Sequence, residues 1–429
     1  MKIYLEHSLT KEERILLIRR PSSLIGDTGR IAQDVCLAVK QRGDDAVRQY
    51  SKKFDNAEEQ VFLVTKEEIE DAGRRLPPKF LDALNVAIGN IRTFHKSQFS
   101  TAQRISTSEG VVCWRETRPI ERVGLYVPAG SAPLPSTVLM LGIPALLAGC
   151  SRIILCSPPK TNGLVDPLIL AAAALIGIEE VYKVGGAQAI AAMAYGTETV
   201  PKVDKIFGPG NRFVTSAKQF VSTDPEGAAI DLLAGPSEVL ILSDESADPD
   251  VVAYDLISQA EHDADAQAVL VTTDERLAKE VLRILPQKAS EFPRNKIVES
   301  SLEHSFIFVA KSLESAVRFS NDYAPEHLII NMQNAEALVP SIINAGSVFV
   351  GPFAPVTAGD YASGTNHTLP TNGTARSVSG VSLDSFLKKI TFQSISKIGL
   401  GSLEPTLTSI SSAEGLQAHA RAVTSRLSK

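Results

Sequence analysis

From residue 122 the chain alternates short apolar runs with longer helical stretches. Arg122–Val127, Arg152–Cys156, Glu180–Val184 and Lys205–Phe207 read as strands, with helices near Ser136–Ala148, Pro167–Ile176, Ala187–Tyr195 and Arg212–Val221. Asp166-Pro167 is an N-cap followed by proline at the first helical position. The rhythm then repeats. Ser237–Leu242, Gln267–Thr272, Ser305–Val309, Leu328–Met332 and Ser347–Val350 read as strands, and helices near Pro249–Glu261, Asp274–Leu285, Leu313–Ser320 and Ala335–Ala345 lie between them. Alternation of this kind predicts βαβ units and parallel sheets.

The fold class expected is therefore α/β, with two doubly wound, Rossmann-like parallel-sheet domains. Residues 1–25 are expected to form an N-terminal helical arm, in which Thr10-Lys11-Glu12-Glu13 opens a capped helix. Helical stretches follow near 29–54 and 66–99, the second broken by Pro77-Pro78. Residues 26–125 and 240–381 are assigned to a first, discontinuous α/β domain and 126–239 to a second. After residue 381 the rhythm stops, and 382–429 is expected to be a mostly helical tail.

Composition narrows the partners. The chain has 429 residues, 44% apolar and 21% charged, with a formal net charge of -6. That suits a globular protein of two or three domains. No Lys/Arg cluster is long enough to track a phosphate backbone, so nucleic acid is not expected. No apolar span reaches the roughly 18 residues of a membrane helix, and the start lacks a signal-peptide apolar core. Cys36, Cys113, Cys150 and Cys156 form no CxxC pair and read as reduced residues of a cytoplasmic protein.

Candidate chemistry collects at a few places. Gly359-Asp360-Tyr361-Ala362-Ser363-Gly364-Thr365-Asn366-His367 is small and polar, and reads as a loop dense in functional groups. Gln259 and His262, three apart, share the face of a helix end, although such pairs are more often solvated. Glu326-His327 stands at the mouth of an apolar strand, where a carboxylate and an imidazole can do acid–base work, or simply form a polar strand entrance. Pro128-Ala129-Gly130-Ser131, Gly185-Gly186-Ala187-Gln188, Gly208-Pro209-Gly210-Asn211 and Gly235-Pro236-Ser237 are strand-to-helix turns, the usual ligand edge of open α/β sheets. None fits G-x-G-x-x-G. Glu414 and His419, on the last helix, are about 140° apart around its axis and do not share a face. His95, beside Phe94 and Lys96, has no partner in the pattern and reads as surface or packing.

Seven ordered stretches together resemble the histidinol dehydrogenase family, from about residue 20 to the C-terminus. They are Gly124–Pro128, Val184–Ala191, Lys205–Asn211, Ala234–Val239, Ser258–His262, Pro325–Ile329 and the 359–367 loop. The resemblance implies an enzyme with one zinc ion per subunit and NAD as oxidant, converting L-histidinol to L-histidine through the aldehyde. It implies zinc ligands at Gln259, His262, Asp360 and His419, and acid–base roles for Glu326 and His327. It further implies substrate contacts at Ser237 and Glu414, as well as at the ligands and His327, and NAD contacts at Tyr126, Gln188 and Asn211 within 126–239. A homodimer is implied, each site completed by the partner's C-terminal tail. Many relatives carry a second glycine where Ala129 stands and a tyrosine near Asn372. Two other classes would use the same residues: a zinc hydrolase with Glu326 as base, and a non-catalytic zinc-stabilised binding protein.

Overall fold

The computed structural model describes residues 1–20, 26–55, 61–74, 76–129 and 132–428. Six parallel strands form one sheet in the order Lys2–Leu5, Phe306–Val309, Gln267–Thr272, Glu238–Ser243, His327–Asn331, Ser347–Val350. A second parallel sheet has five strands in the order Glu180–Lys183, Arg152–Ser157, Arg122–Tyr126, Lys205–Phe207, Ala229–Ile230. In each sheet the chain winds one way and then the other. The order reverses between Glu238–Ser243 and His327–Asn331 in the first sheet, and between Arg122–Tyr126 and Lys205–Phe207 in the second.

The expected strands and most of the expected helices are present, and the α/β class holds. The helix cap expected at Thr10 is present as a capping box, with Thr10 accepting from the Glu13 N–H and Glu13 accepting from the Thr10 N–H. The arm is nevertheless not all helix, because Lys2–Leu5 adds an edge strand beside Phe306–Val309. The segment expected as a helix near 335–345 is a 3-10 turn, Ala335–Ser341, containing Pro340, which lacks the N–H an α-helix needs there.

Helices Gly26–Arg42 and Pro78–Lys96 were expected beside residues 240–381, but pack on the five-stranded half instead. Helix Gly26–Arg42 lies against Gly186–Tyr195 and Arg212–Thr223, and its Ala32, Val35, Cys36 and Val39 join the core of Tyr126, Ile154, Ile190 and Val214. Helix Pro78–Lys96 covers Pro135–Ala148 on the opposite face. The cause is legible in the inner helices. Pro135–Ala148, Pro167–Ile176 and Gly186–Tyr195 are apolar all round, and a helix without a polar face must be covered on both sides.

The tail also departs from expectation. Leu387–Ile395 is a strand, antiparallel to Val111–Pro119, in a three-stranded sheet completed by Ile105–Ser108. Trp114 and Phe392 stack across it at 5.4 Å. Beyond it, helices Lys397–Ala413 and Gln417–Leu427 pack on each other. Only Gly399 and Ser411 are buried along the two, while Ile398, Ile410 and Leu416 stay exposed. No helix among the described residues is long and apolar enough to cross a membrane.

At the carboxyl edge of the five-stranded sheet the 208–211 turn is clamped by a buried ion pair. The Lys218 ammonium donates to Gly208 O at 2.8 Å and pairs with Asp231, whose carboxylate accepts the Gly208 N–H at 2.8 Å. Gly208 has φ +121°, and a Cβ there would lie 2.1 Å from Tyr126 O, so glycine is required. Lys218→Met would strand the Asp231 carboxylate in the interior. A loss of about 3–5 kcal/mol of unfolding free energy is expected, read from denaturant unfolding. Lys218→Met/Asp231→Asn should recover most of it.

Candidate active site

The proposed acid–base pair lies at the amino edge of the six-stranded sheet, where its strand order reverses. Ligand sites of open α/β sheets more often sit at carboxyl edges. Here the amino ends of Glu238–Ser243 and His327–Asn331 meet the carboxyl end of helix Pro249–Ala260. That helix starts sharply, with the Asp248 carboxylate accepting the Asp250 N–H at 2.8 Å and proline at its first position. It ends with Gln259 buried in its last turn and His262 just beyond it.

Glu326 and His327 are both buried, with His327 Nδ1 3.5 Å from Glu326 Oε2. Glu326 Oε2 accepts the Glu238 N–H at 2.8 Å. His327 Nδ1 lies 3.1 Å from Glu238 O, and a carbonyl can only accept, so Nδ1 carries the proton and Nε2 is left as the basic nitrogen. Nε2 has no hydrogen-bond partner and lies 3.6 Å from Asp360 Oδ1. Neighbours on one strand point to opposite faces; both reach this site because Glu326 precedes the regular strand His327–Asn331.

Asp360 arrives from the other side. The 359–367 stretch is not wholly a loop: Val356–Tyr361 is a short helix. Its Gly359 lets it close on strand Ser347–Val350, since a Cβ there would meet the Phe349 ring at 2.6 Å. The remainder is tied to the five-stranded half. His367 joins Asp360 O at 3.0 Å to Thr137 Oγ1 at 3.2 Å, and the Asn366 amide donates to Met140 O at 2.6 Å. His367 is thus a strut between the halves, with both ring nitrogens occupied.

Electrostatics follow from this crowding. Burial pushes the Glu326 carboxyl well above the glutamate range, against the pull of His327. Burial also works to lower His327, but the Glu326 and Asp360 carboxylates outweigh it and hold the imidazolium above its ordinary range. Burial raises Asp360, and His327, His367 and His262 more than offset that, leaving it below the usual aspartate value. Desolvation lowers His262 despite Asp360, although its residue surface is largely exposed; the ring faces the crowded site.

Gln259 Nε2 is buried without a partner, which leaves the amide free to turn its oxygen inward. Among the described residues no three His, Cys, Asp or Glu side chains are grouped so as to hold a metal. One chain brings His262 within electrostatic reach of Asp360, with Gln259 three residues before His262 at the helix end; His419 does not join them. Glu414 and His419 are exposed on the tail, and among the described residues neither side chain makes a hydrogen bond or ion pair. Half-buried Ser237 precedes Glu238 at the same sheet edge.

The three residues assigned to NAD gather at the carboxyl edge of the five-stranded sheet. Tyr126 ends a strand and its hydroxyl accepts the Gly186 N–H at 3.1 Å. Gln188 lies in the next helix, its amide donating to Asp55 at 2.8 Å. Asn211 is exposed and caps helix Arg212–Thr223. In the 128–131 turn, Gly130 and Ser131 lie outside the described residues. The sequence reading missed Asp55, which burial pushes up to about 6 against the Gln188 hydrogen bond, and left Arg20 and Glu238 without roles. A charged residue opening an otherwise apolar strand is the signal that could have singled out Glu238.

The family model described as histidinol dehydrogenase matches residues 18–427. A histidinol dehydrogenase of Vibrio vulnificus is 49% identical over 431 residues, covering 100% of this chain and 99% of the relative. One from Bacteroides fragilis is 50% identical over 411 residues, covering 96% of each. The crystal structure of histidinol dehydrogenase from Elizabethkingia anophelis superposes with a TM-score of 0.96 at 49% identity, covering 100% of this chain and 98% of that one.

Proposed function

We propose that this chain, which belongs to the histidinol dehydrogenase family, carries its acid–base chemistry on Glu326 and His327. Members of the family are NAD-dependent oxidoreductases that catalyse the last steps of histidine biosynthesis, here read as L-histidinol to L-histidine through the aldehyde. The observation that supports the assignment is a buried carboxylate 3.5 Å from a buried imidazole whose Nε2 has no partner. A solvated strand entrance would leave neither group in that state.

In its neutral form His327 takes the proton of the carbinol hydroxyl at Nε2 in the first oxidation. That step should therefore rise with pH as the imidazolium favoured by Glu326 and Asp360 is lost. Glu326 takes a proton from water as the water oxygen adds to the aldehyde carbon, and His327 returns its proton to the former carbonyl oxygen, giving the hydrate whose oxidation yields the acid. Tyr126, Gln188 and Asn211 in the 126–239 region would hold NAD, which would supply the hydride acceptor for each oxidation. No thiol is needed, which agrees with the deep burial that pushes the Cys36 thiol up to about 12.

The donor set fits a borderline cation such as zinc: a carboxylate, an imidazole and an amide oxygen from one chain. Gln259, His262 and Asp360 would hold it together with His419 of the partner subunit, and the bound ion would orient the substrate's imidazole and amine nitrogens. Ser237 and Glu414 of the partner subunit would complete the substrate contacts. The exposed apolar side chains of the tail, Ile398, Ile410 and Leu416, support docking against a second copy. A cytoplasmic setting suits such a biosynthetic enzyme.

Incubation with histidinol and NAD tests the reading, since the dehydrogenase produces NADH and a zinc hydrolase does not. Chelation should lower turnover on the order of 10²-fold, the scale of a misplaced substrate, with recovery on adding zinc. The thermal midpoint should change little, whereas a zinc-stabilised binding protein would unfold. The pH dependence has a definite sign. A protonated Glu326 cannot accept the proton of water, and burial raises the pH at which it ionises. Histidinaldehyde oxidation should therefore rise with pH along an acid limb well above the ~4.3 of a solvated glutamate, measured as the pH profile of kcat with aldehyde as substrate.

A further inference from the structure

We infer that Arg20 and Glu238 form a positioning unit for the acid–base pair, aligning Glu326 and His327 from behind the sheet. Glu238 opens a strand buried along its whole length, a costly place for a carboxylate unless it is paired. Arg20 pairs with it through both arms of its planar fork, Nε to Oε2 at 2.7 Å and Nη2 to Oε1 at 2.8 Å. The third nitrogen, Nη1, donates to Ile18 O at 2.9 Å and Tyr323 O at 2.7 Å, and the guanidinium lies 3.5 Å from the centre of the Tyr323 ring. Neither Arg20 nor the carboxylate it holds has freedom to move.

Glu238 in turn meets the acid–base pair at three points. Its N–H donates to the Glu326 carboxylate, its own carboxylate accepts the Glu326 N–H at 3.3 Å, and its carbonyl faces His327 Nδ1. One residue thus sets the direction of the Glu326 side chain, the position of its backbone and the tautomer of His327. A fold-only role accounts poorly for the charges, because apolar residues of like volume often replace a buried ion pair at no loss of stability. Charge and fork geometry are accounted for if Glu238 must be held rigidly where it touches the reacting groups.

The inference rests on the acid–base reading above, and the variants separate the two. Arg20→Met/Glu238→Gln removes both charges while keeping unbranched side chains and an acceptor for the Glu326 N–H. In the full-length, metal-loaded enzyme it is expected to stay folded, with a thermal midpoint lowered by the lost bonds to Ile18 O and Tyr323 O. It should keep its KM for histidinol and NAD, while kcat falls on the order of 10²-fold. Arg20→Lys keeps the charge and loses the fork, and should fold normally with a smaller loss of kcat. In a Glu326→Gln background the double substitution should slow aldehyde oxidation no further. Folded variants with wild-type kcat would overturn the positioning role and reduce the pair to a structural bridge. If Glu326→Gln itself has wild-type kcat with both substrates, the acid–base reading has failed instead, whatever the Arg20 variants do.

Discussion

Glu326→Gln is expected to separate the two oxidations. Histidinaldehyde oxidation should fall about 10²–10⁴-fold, the usual contribution of a positioned proton acceptor, while histidinol oxidation to the aldehyde survives to a much larger extent. The substitution is nearly isosteric, and the amide oxygen can still accept the Glu238 N–H that the carboxylate accepts at 2.8 Å. Folding is therefore preserved and the loss can be assigned to chemistry. It also removes a charge that helps hold the His327 imidazolium above its ordinary range. The acid limb of the alcohol step should shift acidward for that reason, since more His327 is then neutral at a given pH. Stopped-flow measurement of NADH with each substrate in turn reads both effects. A variant that spares acid formation from the aldehyde and blocks alcohol oxidation would reverse the roles given to Glu326 and His327.

Much of this arrangement was legible before any coordinates, for identifiable reasons. The alternation of apolar runs with helical segments in 122–350 maps onto two parallel sheets because buried parallel strands are short and apolar, with helices between them. The seven motifs fall on the edges of those sheets and on the 359–367 stretch between them. What escaped the reading depends on contacts far apart in sequence. Leu387–Ile395 pairs with Val111–Pro119, and its polar-rich pattern carries no local sign of a partner so distant. Helices Gly26–Arg42 and Pro78–Lys96 cover a sheet that begins only at residue 122, and the sign lay in the neighbouring all-apolar helices that needed covering. The Asp360 helix was read as loop because a single turn of helix containing Gly359 has no periodicity to detect. Arg20 lies 218 residues from its carboxylate partner, and no spacing rule connects them.

The candidate site divides along the same line. His262, Glu326, His327 and Asp360 converge within one chain, with Gln259 three residues before His262, at the reversal of strand order between Glu238–Ser243 and His327–Asn331. His419 and Glu414 do not join them. They ride on a pair of helices that pack chiefly on each other and leave apolar side chains exposed, an arrangement that fits burial against a second subunit. On the proposed assignment, one chain alone would lack one imidazole of the metal site and one carboxylate of the substrate site. The central claim is that a second copy supplies both.

Mixing two inactive variants tests it most directly. His419→Ala damages only the tail's contribution, and His327→Asn damages only the body's. If tails are exchanged, each mixed dimer contains one site with an intact body and an intact partner tail. Random reassociation makes half the dimers mixed, so about a quarter of wild-type NADH production should return. If each site is built within one chain, every site carries one lesion or the other, and mixing will restore no activity.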